Sequence, residues 1–308
     1  FFSCNDSVLY KQTIYEPNII VTPEVLNFND KSVFDNTHTD AITIVNSGND
    51  NLIGNILSRS EYVTVEESFD LEPNEYIDIL VSFNPETIAQ GTILKNQAEP
   101  DCVYIGSDTT ESAQQIKEVY ENICTNSPSI HIMDRLSAEL TKVSLNCFLT
   151  CKISFANMVG DLALQIGASP DKVLKAVGSD SRINNKFFRY GFGWGGPCFP
   201  RDTRAFMRLA KNNNMPYDMC EASDMSNDKH LEYQVEAFLK SGKKEYVTDS
   251  VTYKKGTVIL EESQQLEYAV KLAQSGIAVT VCESKPVIEQ LKQIYGDLFR
   301  YEQRNSNN

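Results

Sequence analysis

Hydrophobic periodicity changes along this chain, and the change constrains the fold more than any single motif. From about Asn18 to Phe83, short runs (NIIVT, AITIVN, LIGNILS, YVTVEE, YIDILVSF) alternate apolar and polar residues, with turn-rich pieces such as NSGNDN and EPNE between them. Successive side chains of a strand point to opposite faces, so period-two runs at this spacing predict an antiparallel β-sandwich. From Glu111 onward the apolar spacing becomes helical. A chain of 308 residues has room for two or three domains, and the two periods predict separate ones.

Within the helical stretch, Ser107 to Thr110 (SDTT) can cap a helix reaching Cys124, with Glu111 in its first turn. Ser137 to Ile166 is one long helical pattern whose apolar positions include Leu140, Val143, Phe148 and Phe155. Pro170 suits the first turn of a further helix after Ser169. Two more helices are expected over Arg204 to Lys211 and Ala222 to Leu239. The last segment reads as strand (EYVTDSVTY), helix (Ser263 to Ser275), strand (IAVTVCES) and helix (Pro286 to Tyr295), a βαβ unit with parallel strands.

The formal charge of −14, from 28 basic and 42 acidic residues, argues against nucleic acid or an acidic membrane as partner. No run is read as a transmembrane segment. The eight cysteines are scattered without a C-x-x-C pair, and His38, His131 and His230 lie far apart, so no metal site is expected. This pattern fits reduced thiols in a cytoplasmic protein. The opening FFSCNDS, in contrast, resembles the end of a bacterial lipoprotein signal, and a lipoprotein-like start conflicts with that compartment. The strand-rich segment resembles immunoglobulin-like modules of bacterial surface proteins in its pattern and its N-x-G turn.

The stretch Gly191 to Asp202, GFGWGGPCFPRD, contains G-x-G-x-x-G. A dinucleotide fingerprint needs a buried strand entering the turn and a helix leaving it, so that free N–H groups face the pyrophosphate. NNKFFRY precedes the loop and Pro197 and Pro200 follow it, so that context fails. The alternative is a loop whose glycines lie close against a ligand while the prolines stiffen the chain around Cys198. A helix begun near Asp202 would put its positive end by the sulfur and favour the thiolate. A buried cysteine in a glycine-rich loop is the plain alternative for an isolated residue.

The loop resembles the active-site loop of the UDP-glucose/GDP-mannose dehydrogenase family, which oxidises the C6 alcohol of a nucleotide sugar to a carboxylate with two NAD. Four further stretches match in the family's order. NPETIAQGT…PDCVYIG (Asn84 to Gly106) is similar to the end of its cofactor domain, and AELTKVSLNCFLTCKISFANM (Ala138 to Met158) to its central helix. GSDSRINNKFF (Gly178 to Phe188) is similar to the segment before the cysteine loop, and TYKKGT…EES (Thr252 to Ser263) to its nucleotide-side domain.

The resemblance implies roles for single residues. Cys198 would attack the C6 aldehyde and pass through a thiohemiacetal and a thioester. Lys142 and Asn146 would stabilise oxyanions, Asp202 would position water and act as base with Lys142, and Glu86 would serve proton transfer. Arg182 would reach the sugar of a neighbouring subunit, which implies a homodimer through the central helices. Phe187, Phe188, Arg189 and Gly195 would enclose the nucleotide sugar (UDP-glucose or a related one), and Tyr253 and Lys254 would contact its UDP side. The cofactor contacts of NAD stay open apart from Arg201. Taken singly, Lys142 and Asn146 also suit a solvated helix face, and Asp202 a helix cap.

The expected architecture is multidomain α and β. It comprises a tail (1–17), an Ig-like antiparallel β-sandwich (18–83), a remnant of the end of the NAD-binding domain (84–124), and a helical central dimerisation domain with the cysteine (125–240). A partial Rossmann-like α/β domain for UDP (241–300) and a disordered tail (301–308) follow. A short β-rich segment can borrow CVYIG as an extra strand. The family's glycine turn is absent before Asn84, Gln90 sits where relatives often carry a second glutamate, and Glu261 sits where many carry an arginine. A nucleotide-sugar 6-dehydrogenase core that does not reduce NAD by itself is therefore expected. The alternatives are a non-catalytic binding or structural module, with a lipoprotein-like sandwich joined to a dehydrogenase remnant, or a chimeric junction near Asn84.

Overall fold

The computed structural model describes residues 82–85 and 92–304, together with the strand backbones 19–22, 41–46, 52–54, 69–71 and 76–80. The chain divides into two compact units, Phe1–Lys142 and Val143–Asn308.

In the first unit β1 (Ile19–Thr22), β2 (Ala41–Asn46) and β5 (Tyr76–Leu80) form an antiparallel sheet in the order β1-β2-β5. The strands β3 (Leu52–Gly54) and β4 (Phe69–Leu71) make a second antiparallel pair. The strands β1, β2, β3 and β5 lie in the alternating runs, whereas β4 follows the YVTVEE run; the Ig-like sandwich and the 1–17 tail rest mainly on residues outside the described ones. The short α1 (Ile93–Ala98) then leads to β6 (Cys102–Gly106), α2 (Thr110–Ile123) and β7 (Ser129–Met133), with β6 and β7 parallel. Thr109 starts α2 by accepting a hydrogen bond from Ser112 N through Oγ1, which satisfies one of the helix's open N–H groups. Val103, Ile105 and Ala113 form the core between this helix and the pair.

The expected borrowing of CVYIG takes a reduced form. Phe83 and Gly106 exchange both backbone hydrogen bonds at 2.7 Å in one antiparallel bridge, while the other edge of β6 pairs with β7. Asn84 continues the attachment, with Nδ2 donating to Tyr104 O and Oδ1 accepting from Tyr120 Oη, both at 2.7 Å.

The boundary between the units falls within α3 (Arg135–Gln165). By length and composition α3 is apolar enough to cross a membrane, which the reading of the sequence did not anticipate. Its buried polar residues Asn146, Thr150, Ser154 and Asn157 hydrogen-bond to the second unit's own groups, as a core helix does. After it come α4 (Pro170–Gly178), α5 (Phe199–Asn212) and α6 (Asp218–Lys240). Ser169 caps α4 through Lys172 N, and Pro170 occupies its first turn.

The second unit closes on β8 (Glu245–Thr248), α7 (Gln264–Gln274), β9 (Ala278–Glu283), α8 (Lys285–Tyr295) and β10 (Arg300–Gln303). The three strands are parallel in the order β10-β9-β8. Burial alternates along β9, with Val279, Val281 and Glu283 inside, and Leu266, Ala269, Leu272, Val287 and Leu291 from α7 and α8 complete the core. Strand β8 is shorter than the EYVTDSVTY run because Thr248, Ser250 and Thr252 bond side chain to backbone or to each other, which competes with the ladder. Strand β10 extends to Gln303, beyond the end at 300 expected for this domain, because Arg300 to Gln303 pair with Thr280 to Glu283.

Candidate active site

The loop 191–198 lies between α4 and α5 and is held by polar side chains from two helices. Gly191 N donates to Asn157 Oδ1 on α3 at 3.1 Å, and Gly191 O accepts from His230 Nε2 on α6 at 2.7 Å. Further along, Asn227 on α6 grips both backbone groups of Trp194. Its Oδ1 accepts from Trp194 N and its Nδ2 donates to Trp194 O, each at 2.9 Å. The Trp194 indole N–H donates to Ser154 Oγ on α3 at 2.8 Å, so this buried tryptophan satisfies its only polar atom.

Two glycines of the loop are required by the protein's own packing. A Cβ on Gly195 would overlap the Glu262 carbonyl oxygen, and one on Gly196 would overlap the Tyr253 ring. Gly196 also has φ +81°, a conformation that costs a side-chain-bearing residue about 1–2 kcal/mol. At these positions protein fills the space that the sequence reading left to a ligand.

Cys198 is exposed and is the N-cap residue of α5, with no side-chain capping bond made by its sulfur. The helix thus begins at Phe199, ahead of the start near Asp202 expected from sequence. One turn on, Asp202 N donates to Cys198 O at 2.8 Å. The Asp202 side chain is only 6% exposed, and its Oδ2 accepts from Asn146 Nδ2 at 2.5 Å. Arg201 Nε donates to its Oδ1 at 3.1 Å, and Cys147 Sγ lies 3.7 Å from its backbone oxygen. The structure therefore brings together Cys198, Asn146, Asp202, Arg201 and the Gly195–Gly196 turn. Tyr253 packs on Gly196, where burial and then the neighbouring Cys198 push its hydroxyl up.

The other expected residues are placed as follows. Lys142 is half-buried in the first unit, one turn before Asn146 on α3, and Glu86 lies outside the described residues. Arg182 is exposed on the loop after α4, where its guanidinium bonds Asp180 through Nε and Nη2 and holds that carboxyl below its usual range. Phe187 and Arg189 are exposed, whereas Phe188 is 5% exposed and packs with Ala156 and Leu174. Lys254 is half-buried, and its carbonyl accepts from Thr252 and Thr257.

A cleft of about 490 Å³ opens at the carboxyl ends of β8 and β9, lined by Phe192, Thr248, Ser250, Thr252, Lys255 and Gln265 among others. Ligands of open α/β sheets bind at such ends. Glu283, buried at the end of β9, orders its rim by accepting from Ser250 Oγ at 2.8 Å and Val251 N at 3.1 Å.

Asn157, Asn227, His230, Glu262 and Glu283 did not stand out in the sequence. Each is a polar residue in a helix, turn or strand end that has the look of a solvated position. A signal was present for Asn227 and His230, three apart as helix neighbours are, but only the loop's position gives it meaning.

Residues 136–229, which carry the loop, Cys198, Asn146 and Asp202, match the profile of the UDP-glucose/GDP-mannose dehydrogenase family, central domain. Over these residues the chain is similar to that family's central domain. A UDP-glucose 6-dehydrogenase of Rhizobium meliloti (strain 1021) is 34% identical over 159 residues, 51% of this chain and 36% of that protein. One from Pseudomonas aeruginosa is 31% identical over 206 residues, 65% of this chain and 46% of that protein. Among solved structures, a UDP-glucose dehydrogenase from Pyrobaculum islandicum superposes with a TM-score of 0.66 at 30% identity, covering 72% of this chain and 52% of that one. The chain thus spans about half or less of the length of these relatives. The dehydrogenase family is one of NAD-dependent oxidoreductases, but the residues here do not fit the dinucleotide. Among the described residues no G-x-G-x-x-G turn joins a parallel strand to a helix, and Gly195 and Gly196 are packed by protein.

Proposed function

We propose that this chain carries the nucleophile half of a nucleotide-sugar 6-dehydrogenase acting on UDP-glucose or a close relative. The observation that carries the reading is Cys198, exposed at the start of α5, with the buried Asp202–Asn146 pair one turn behind it in the matched domain. In this reading the Cys198 sulfur adds to the C6 aldehyde of the sugar, forming the S–C bond of a thiohemiacetal while a proton goes to the former carbonyl oxygen. Asn146, with Lys142 contributed from the same helix, stabilises the charge on that oxygen. At the thioester stage Asp202 accepts a proton from water as the water adds, and the thiol leaves as the carboxylate forms. NAD is the hydride acceptor of this reaction class. Glu86 and Arg201 are assigned to proton transfer and to the cofactor side, and Arg182, Phe187, Phe188, Arg189, Gly195, Tyr253 and Lys254 to the nucleotide sugar.

The cleft at the ends of β8 and β9 is assigned to the nucleotide, with Lys255 as the cation in its lining. A homodimer is part of the proposal. Phe148, Phe155 and Leu162 lie seven apart on α3 and are exposed, the stripe that a second helix covers. A cytosolic location follows from this chemistry, whose cofactor is an intracellular one.

The lack of a dinucleotide turn among the described residues favours a second reading, a module that binds nucleotide sugar without chemistry. The two separate by the protection of Cys198 from iodoacetamide, read by peptide mapping. A competent nucleophile is protected more by the 6-aldehyde of UDP-glucose than by UDP-glucose at equal occupancy. Equal protection supports the binding module, and no protection by either removes both. NADH formed on mixing the chain with NAD and UDP-glucose would overturn the proposed dependence on a cofactor domain elsewhere.

A further inference from the structure

The start of the cysteine loop is tied to a histidine–aspartate pair inside the second unit. His230 is only 3% exposed, and its two ring nitrogens face two acceptors. Nδ1 lies 2.7 Å from Asp161 Oδ2, and Nε2 lies 2.7 Å from Gly191 O. A carbonyl oxygen can only accept, so Nε2 carries a hydrogen, and Nδ1 shares one with the Asp161 carboxyl group. The other carboxylate oxygen of Asp161 accepts from Tyr190 Oη at 2.8 Å, and the Tyr190 ring meets the His230 ring edge-on at 5.5 Å. Burial, followed by the bond to Asp161, pushes the Tyr190 hydroxyl up and keeps it a donor. Asp161 on α3, His230 on α6 and Tyr190 at the loop's entry thus fix one another.

A buried polar pair is a weak stabiliser, because desolvation offsets most of its attraction. What this pair supplies is direction, a single N–H aimed at the first carbonyl of the loop. Gln234 Nε2, at 3.2 Å from the same oxygen, is a longer and neutral second contact.

We propose that His230 is a positioning residue, oriented by Asp161, that holds the loop so that it presents Cys198 and its ligand contacts in one arrangement. The proposal rests on the nucleotide-sugar reading of this site. His230 touches neither substrate nor sulfur and acts through Gly191.

The test compares the full chain with His230→Leu, His230→Gln and Asp161→Asn, by amide hydrogen exchange resolved to peptides and by calorimetric titration with UDP-glucose. In His230→Leu, amides of 190–197 should exchange about tenfold faster and UDP-glucose affinity should fall about tenfold, as losing one charge-assisted hydrogen bond allows. Peptides of α7 and β9 should keep their rates. His230→Gln retains a donor for Gly191 O and should recover most of both losses, which a purely structural histidine would not permit. Faster exchange throughout the unit, absence of rescue by glutamine, or faster loop exchange with unchanged affinity would each overturn the proposal. If His230→Leu does not fold, Asp161→Asn decides: faster exchange confined to the loop supports the clamp, and a native rate overturns it. If the unaltered chain gives no heat with UDP-glucose, the functional reading falls, and the exchange rates with glutamine rescue still decide whether His230 holds the loop.

Discussion

Asn146 Nδ2 lies 2.5 Å from Asp202 Oδ2, joining α3 to the first turn of α5 one turn beyond Cys198. The carboxylate is buried and has Arg201 as its other side-chain donor. Asn146→Ala should therefore leave a buried acceptor short of a partner and cost about 1–3 kcal/mol in urea unfolding. Asn146→Asp should cost more, since it sets two carboxylates against each other. An Asn146→Ala chain as stable as the original would show the bond to be dispensable.

The turn at Gly195 and Gly196 is expected to tolerate no side chain. Gly195→Ala would drive a methyl into the Glu262 carbonyl, which belongs to backbone and cannot swing away. Gly196→Ala adds the strain of φ +81° to a clash with Tyr253. Each should destabilise by about 2–4 kcal/mol, read as a fall in Tm.

Thiol chemistry should single out Cys198. It is exposed, whereas Cys147 and Cys220 are buried. The hydrogen bond between Cys220 and Cys147 pushes the Cys220 thiol up to about 11. Burial raises the thiols of Cys124 and Cys282 as well. A brief pulse of iodoacetamide at neutral pH, followed by peptide mapping, should label Cys198 ahead of these four. Cys198→Ser should keep the native Tm.

Glu139 on α3 should make stability fall with rising pH. Its Oε2 is buried without a hydrogen bond, and burial pushes its carboxyl up to about 7, with Arg135 partly opposing. The folded state thus holds this proton more tightly than the unfolded state, so the group's contribution is full below its unfolded value and is lost as pH rises through 7. Glu139→Gln should remove that dependence and gain about 1–2 kcal/mol at pH 8, the full shift being discounted for solvent screening. Urea unfolding at pH 5 and pH 8 measures it.

The apolar stripe of α3 gives a test of assembly. Phe155→Glu combined with Leu162→Glu should convert a dimer into a folded monomer by light scattering, because two charges cannot be desolvated against a second helix. A monomer already present in the unaltered chain would remove the homodimer from the proposal.

Much of the fold was legible in sequence because it rests on local rules. The period-two runs contain β1, β2, β3 and β5, and the caps Thr109, Ser169 and Ser263 mark the starts of α2, α4 and α7. The cysteine loop was legible too, since Pro197 and Pro200 exclude a helix starting within the glycines. Less legible was what the glycines are for, because close approach of Glu262 and Tyr253 is a contact across more than fifty residues of chain. The polar residues that hold the loop were not legible at all. Asn157, Asn227 and His230 have the composition of a solvent-facing helix until the loop is laid across them.

By itself, the sequence determined most of the long helices and the strands of the alternating runs, that Cys198 sits between two stiffening prolines, and that Asn146 lies on a helix able to present it. Periodicity, caps and proline sterics act within a few residues, so they are written in the chain's own order. Only the tertiary structure decided that Asn146 bonds Asp202, that protein packs Gly195 and Gly196, and that His230 faces Gly191. Those outcomes depend on which surfaces are removed from water together, and burial is a property of packed elements rather than of any one segment.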